Sequence, residues 1–175
     1  DTVVVRRGGI RGAISSFFGF NKGFSFRLAG IDSPETSHGK DSYHTPQPGA
    51  EASKEVLQQI MQKGNLQLLF DPKQTTYGRA MGVVFQDGKN VNYQLVKQGA
   101  AAYLPFGKAD KSMISYDKLK IMEQMASDAG RGMWSQPWGQ TYREIMEAGG
   151  GDRITLNTFT KAEKLVRSQS VTSTL

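Results

Sequence analysis

The sequence contains no cysteine, which excludes disulfides and thiolate metal sites and leaves the redox compartment open. No apolar run approaches the roughly 20 residues that a membrane-crossing helix needs. The two histidines, His38 and His44, lie in the polar, proline-containing stretch 37–49. Their spacing matches no helical metal motif, so neither is assigned as a ligand. There is no internal repeat. No signal peptide is visible, yet the chain opens on Asp1-Thr2-Val3-Val4-Val5, inside a strand pattern. Further sequence, with any targeting or anchor segment, is therefore expected upstream. An extracytoplasmic or organellar location would fit such a segment.

What is present bounds the answer further. A chain of 175 residues suits one domain with a real core plus an appendage. The net charge of +6 favours a polyanionic partner without establishing one.

The stretch Phe26-Arg27-Leu28-Ala29-Gly30-Ile31-Asp32-Ser33-Pro34-Glu35-Thr36 organises the rest. Phe26, Leu28 and, past Gly30, Ile31 are apolar, while Arg27 takes the opposite face of a strand. At Asp32 the pattern breaks into a turn, because Ser33 precedes a proline and is driven to an extended conformation. A guanidinium and two carboxylates, Asp32 and Glu35, thus gather at a strand end. A cation fork, a hard-metal ligand and a general base are what phosphodiester chemistry requires. A surface salt bridge beside a turn is the plainer account of the same residues.

Around this stretch the pattern predicts strands at 3–7 and 23–31, forming a hairpin with a long connection, Gly8 to Lys22, that carries Phe17, Phe18 and Phe20. A helix is expected over 50–63, with Ala52, Val56, Ile60 and Lys63 near one face and Gly64 as its stop. A strand follows at 66–70, a turn at Asp71-Pro72, and a strand at 80–85 ending in the tight turn Asp87-Gly88. Residues 91–97 read as a short helix and 100–104 as a strand. The long helix expected at 110–129 has Ile114, Leu119, Met122 and Met125 on its apolar side. Residues 140–147 read as a further short helix. Strands and helices without βαβ alternation indicate a sheet or barrel with flanking helices, not a doubly wound fold.

Seven segments, in one order, then resemble the staphylococcal nuclease (thermonuclease-like) family. They are Asp1-Thr2; Phe26-Arg27-Leu28 with Asp32-Ser33-Pro34-Glu35-Thr36; Gly49-Ala50-Glu51-Ala52; Tyr77-Gly78-Arg79; Asp87-Gly88 with Val91-Asn92; Gln98-Gly99-Ala100-Ala101; and Gly130-Arg131-Gly132-Met133-Trp134. The resemblance covers about 1–138. It implies a five-stranded Greek-key barrel of the OB type with three flanking α-helices, one strand of which would precede Asp1. It also implies calcium-dependent hydrolysis of DNA and RNA to 3′-phosphate ends.

Carried over by position, the resemblance makes Asp1 and Asp32 carboxylate ligands of calcium and Ser33 a ligand through its backbone carbonyl. Glu35 matches the residue that activates or orients the attacking water. Arg27 and Arg79 match the guanidiniums that grip the scissile phosphate, a task for which lysine lacks the two-pronged geometry. Tyr77 matches a nucleotide-contacting tyrosine, with a turn aromatic as the alternative. Tyr103 and Phe106 loosely represent the family's later substrate-contacting tyrosines. Thr75-Thr76 replaces an Asp-Lys pair. Glu51 reads as a first-turn helix carboxylate favoured by the helix dipole, not a second base.

The segment 139–175 lies beyond the resemblance, with Gly149-Gly150-Gly151 as a flexible break. Its stretch 152–175 and the 8–22 connection are expected to dock to a protein partner, with packing on the chain's own barrel as the alternative for each. Nucleic acid is the expected substrate. The competing function is a binding or scaffold subunit without catalysis, against which stands the presence of Asp1, Arg27, Asp32, Glu35 and Arg79 together.

Overall fold

The computed structural model describes residues 2–5, 24–34, 36, 47–62, 64–76, 78–104 and 113–140. The 8–22 connection, the 152–175 tail and most of the expected 140–147 helix lie outside these residues.

Strand β1 (Thr2–Val5) pairs antiparallel with β2 (Phe24–Leu28), as the hairpin expectation required. Gly30, at φ +72°, ends β2 and lets the chain turn into the two-residue strand β3 (Ile31–Asp32). The turn is sterically committed, since a Cβ at Gly30 would stand 2.8 Å from Leu119 Cδ1. Helix α1 (Ala50–Met61) follows. Its inward residues are Ala50 and Ser53, with Val56, Leu57, Ile60 and Met61 packed against the core. Ala52, expected on that face, is exposed instead. Steps of three and four from Ala50 pass through Ser53, Val56/Leu57 and Ile60/Met61, and leave Ala52 outside. Glu51 lies in the first turn and its Oε2 is 3.0 Å from Lys54 Nζ, an exposed pair.

Strand β4 (Leu66–Thr76) runs straight through the turn expected at Asp71-Pro72. The strand accommodates the proline by a register shift between Asp71 and Thr75. A residue without a backbone N–H is tolerated at such a bulge, where the ladder is already interrupted. Strand β5 (Arg79–Gln86) pairs antiparallel with β4 and, less foreseeably, parallel with β2. The turn Asp87-Gly88 has both φ values positive, 49° and 76°, as a type I′ hairpin demands. It leads to β6 (Lys89–Asn90). The result is a mixed sheet in the order β1-β2-β5-β4 with β6 against β5.

Helix α2 (Val91–Lys97) is capped by Asn90, whose Oδ1 accepts from Tyr93 N. Strand β7 (Ala102–Tyr103) pairs antiparallel with β3, forming a second, small sheet. Helix α3 (Tyr116–Asp128) starts at the Ser115 cap, later than position 110. Its inward stripe is Leu119, Met122, Ala126 and Ser127, while Met125 is 52% exposed. Seven residues from Leu119 return to the same side of a helix at 126, and 125 falls about 100° short. A 3-10 turn, Gly132–Ser135, follows, and a helical turn begins at 137–140.

The main core joins Phe26, Leu28, Ile31, Val83, Val84, Val91, Leu95 and Leu119. A smaller cluster packs Trp134 and Trp138 on Met133, Ala102 and Ala126. Two of the motif segments meet between these clusters. Met133 N donates to Gly99 O at 2.9 Å, and a Cβ on Gly132 would fall 2.4 Å from that same oxygen.

Candidate active site

The chain leaves β2, turns at Ala29-Gly30 and enters β3, so Arg27 and Asp32 come from two strands of one continuous segment. Arg27 Nη2 lies 3.6 Å from Asp32 Oδ1. The Asp32 side chain is only 8% exposed and that of Arg27 18%. A carboxylate so buried requires a nearby cation or donors to offset its lost hydration. At 3.6 Å the pair exceeds the 2.7–2.9 Å typical of a charge-assisted hydrogen bond. Arg27 compensates the charge without clamping the carboxylate.

Arg79 reaches the same place through the parallel pairing. Arg27 stands opposite Met81, and Arg79, two residues before Met81 on β5, takes the same sheet face by the period of two. Strand spacing and rise put the two arginine Cα atoms roughly 8 Å apart. Two arginines thus share one sheet face, with a buried carboxylate at the strand end beside one of them. Ser33 follows Asp32 directly and is half-buried. Asp1, Glu35, Tyr77 and Phe106 lie outside the described residues, although Thr2, next to Asp1 in the chain, is paired with Arg27.

The donors in this corner are all oxygens, a set that suits a hard cation. Among the described residues no three acidic or histidine side chains cluster. Of the residues expected to bind a metal, Asp32 and its neighbour Ser33 are the described ones.

Tyr103 is placed otherwise than expected. It is 4% exposed, and its ring packs edge-on against Tyr116 at 5.9 Å. Its backbone N–H donates to Glu123 Oε1 at 2.8 Å. The adjacent pairing of β7 with β3 draws this side chain into the core, leaving no open ring face for a base.

Tyr116 carries a testable consequence. Its hydroxyl is buried without a hydrogen-bond partner, and burial pushes its pKa above the ordinary value of 10.0. Above pH 10 the unfolded chain loses this proton while the folded chain keeps it, so stability falls as pH rises through the raised folded value. Tyr116→Phe should leave stability at pH 8 unchanged or raised by up to about 1 kcal/mol, and should flatten part of the decline above pH 10. Urea denaturation at pH 8 and 11 measures both. A loss of more than about 2 kcal/mol at pH 8 would mean that the hydroxyl is satisfied.

The residue most closely tied to the site's framework is one to which the sequence reading gave no role. Asn92 is fully buried. Its Nδ2 donates to Ala29 O at 2.9 Å and Gly82 O at 3.4 Å, and its Oδ1 accepts from Val84 N at 3.3 Å. One amide thereby ties the end of β2 to β5 and to α2, three residues before Asp32. The available signal was a polar residue flanked by the apolar helix positions Val91, Leu95 and Val96, since a buried polar group is the informative kind.

A mixed sheet with flanking helices brings a carboxylate and an arginine together where β2 turns into β3, with a second arginine on the same face of the neighbouring strand. The comparisons give the particular family: the chain belongs to the staphylococcal nuclease homologues, whose family model matches residues 25–136. It is 31% identical over 108 residues to the endonuclease YncB of Bacillus subtilis, covering 61% of this chain and 49% of that protein. It is 32% identical over 117 residues to an uncharacterized endonuclease of Haemophilus influenzae, covering 66% and 56% respectively. A staphylococcal-like nuclease of Arabidopsis thaliana, CAN1, is 30% identical over 125 residues, covering 67% of this chain and 33% of that one. The match thus spans between a third and somewhat over half the length of these relatives. Among the described residues, no helix is long and apolar enough to cross a membrane.

Proposed function

We propose that the protein is a calcium-dependent nuclease that hydrolyses single-stranded DNA and RNA and leaves 3′-phosphate ends. The observation that carries this reading is the Arg27–Asp32 pair at the end of β2–β3, with Arg79 on the same sheet face. The reading takes the strands as a closed five-stranded Greek-key barrel of the OB type.

In this reading the carboxylates of Asp32 and Asp1 and the backbone carbonyl of Ser33 would hold the metal. Calcium accepts six to eight oxygens, which leaves room for waters and a phosphate oxygen. When bound, it neutralises charge on the phosphate. Arg27 and Arg79 hold the non-bridging phosphate oxygens and stabilise the charge that grows as the pentacoordinate state forms. Glu35 orients the attacking water and takes its proton. The water oxygen bonds to phosphorus, the bond from phosphorus to the 5′ oxygen breaks, and that oxygen takes a proton from solvent and leaves as a hydroxyl. Tyr77 and Phe106 are the remaining substrate contacts in the scheme.

The test is cleavage of single-stranded DNA and RNA by the full chain, carrying the natural sequence upstream of Asp1 where there is any. Activity is expected with calcium and absent with a chelator, and the products should accept end-labelling only after removal of a 3′-phosphate. Substrate that binds but is never cut under any divalent ion would turn the reading into that of a binding module.

A further inference from the structure

A second basic surface lies at the far end of β5 from Arg79. Lys89 on β6, Lys97 at the end of α2, Lys118 on α3 and Arg131 before the 3-10 turn line one groove of about 640 Å³. All four are exposed. The residues that line the groove include no carboxylate, and no ion pair is recorded for these four cations among the described residues. Three acids on neighbouring segments have hydrogen-bond partners of their own. Asp87 accepts from Asn65 N at 2.8 Å, Glu123 from Tyr103 N, and Asp128 from Gln124 Nε2 at 2.8 Å.

The groove is built, not merely crowded. Arg131 Nη1 donates to Lys97 O at 3.3 Å, which fixes the guanidinium against α2. Tyr93 accepts a hydrogen bond from Ser115 N at 2.8 Å, which fixes its ring, and Lys118 Nζ sits 4.7 Å from that ring's centre. Gln94, also in the lining, has a buried amide nitrogen with no partner. Four cations from four separate segments repel one another, and a polyanion relieves that repulsion.

We infer that this groove is an accessory site for the phosphodiester backbone of a polymeric nucleic acid, gripping the substrate away from the point of cleavage. The inference rests on the nuclease reading above, and adds to it a dependence on substrate length. Seven residue steps along β5 separate Arg79 from Gln86, roughly 23 Å of strand. At about 3.4 Å per nucleotide along one strand, on the order of seven nucleotides bridge that span. A dinucleotide occupies the Arg27–Arg79 corner alone, whereas a long strand occupies both. Lysines act on phosphates as point charges, so the grip carries no base preference.

The experiment uses the triple variant K89A/K97A/K118A in the full chain. Arg131 is left in place because it also braces Lys97, and all three lysines are exposed. Fluorescence anisotropy of a labelled 30-nucleotide single-stranded DNA, with chelator and no divalent metal, reads binding without cleavage. At about 0.1 M salt the triple variant should bind on the order of tenfold more weakly. Its plot of log K against log salt should be shallower by about 2, from three lost contacts on a single strand. The triple lysine-to-arginine variant should bind like the wild type. Hydrolysis of a dinucleotide should be unchanged by K89A/K97A/K118A, while kcat/KM on the 30-mer falls with binding.

Wild-type affinity for the 30-mer in a triple variant with a native thermal transition would overturn the inference. So would equal losses on dinucleotide and 30-mer, which would place the lysines in the catalytic corner or the fold. Polyglutamate binding as tightly as the 30-mer, and lost in the same variant, would assign the groove to an acidic protein. If the wild type cuts nothing yet its DNA binding depends on these lysines, the nuclease reading falls and the groove stands.

Discussion

Arg79→Lys should lower kcat on single-stranded DNA by about 10²–10³-fold while changing stability little. Arg79 and Arg27 stand on one face of the β2–β5 pair, and in the proposed mechanism they take two oxygens of a single phosphate. A lysine keeps the charge but offers one point of contact where a guanidinium offers a planar fork. The loss should therefore appear in kcat more than in KM, because the fork's second bond gains most as charge builds on phosphorus. Glu35→Gln should cost about 10²–10⁴-fold, since the amide cannot take the proton of the attacking water. Steady-state kinetics at saturating calcium, with denaturation curves for each variant, separate chemistry from folding. An Arg79→Lys enzyme that keeps full kcat would remove Arg79 from the transition state and, with it, the two-guanidinium scheme.

The strand through Phe26 and Leu28 and the break at Gly30 were legible because alternation and glycine act locally, whereas the turn expected at Asp32 falls at Ala29-Gly30 and Asp32 lies in β3. The Asp87-Gly88 turn and the β5 strand before it were legible for the same reason. What escaped was set by distance in the chain. Nothing local to β2 announces a parallel partner some fifty residues on, and that pairing is what brings Arg79 beside Arg27. Asp71-Pro72 looked like a turn because proline usually interrupts a strand; the bulge that absorbs it exists only because β5 lies opposite. Tyr103 looked available because an aromatic in a small-residue strand has no local marker of burial, and Tyr116 that covers it arrives thirteen positions later. Several motif residues proved architectural. Gly99 and Gly132 are small because two backbones touch there, and Asn92 repeats that lesson with larger stakes.

Asn92→Leu should destabilise the protein by about 2–4 kcal/mol, although leucine is apolar and has the same branched heavy-atom skeleton. The amide fills no cavity that leucine would leave. It serves Ala29 O, Gly82 O and Val84 N at once, in a fully buried position. Ala29 N also donates to Gly82 O at 2.7 Å, so Gly82 O keeps one partner, while Ala29 O and Val84 N lose the Asn92 contact. A buried carbonyl or N–H left unpaired costs about 1–3 kcal/mol, and two of them account for the expected loss. Asn92→Ala should therefore be about as damaging as Asn92→Leu, with any extra loss reporting the cavity alone. Urea midpoints for both variants, with unchanged m-values, measure the effect. The folded fraction at low temperature should also turn over substrate more slowly, because the anchor of the Ala29–Asp32 segment is gone and the buried carboxylate shifts against the two arginines. A leucine variant within about 0.5 kcal/mol of wild type would show that these three contacts contribute little net stability. One that is unstable yet fully active when folded would show that Asn92 holds the sheet together without positioning Asp32.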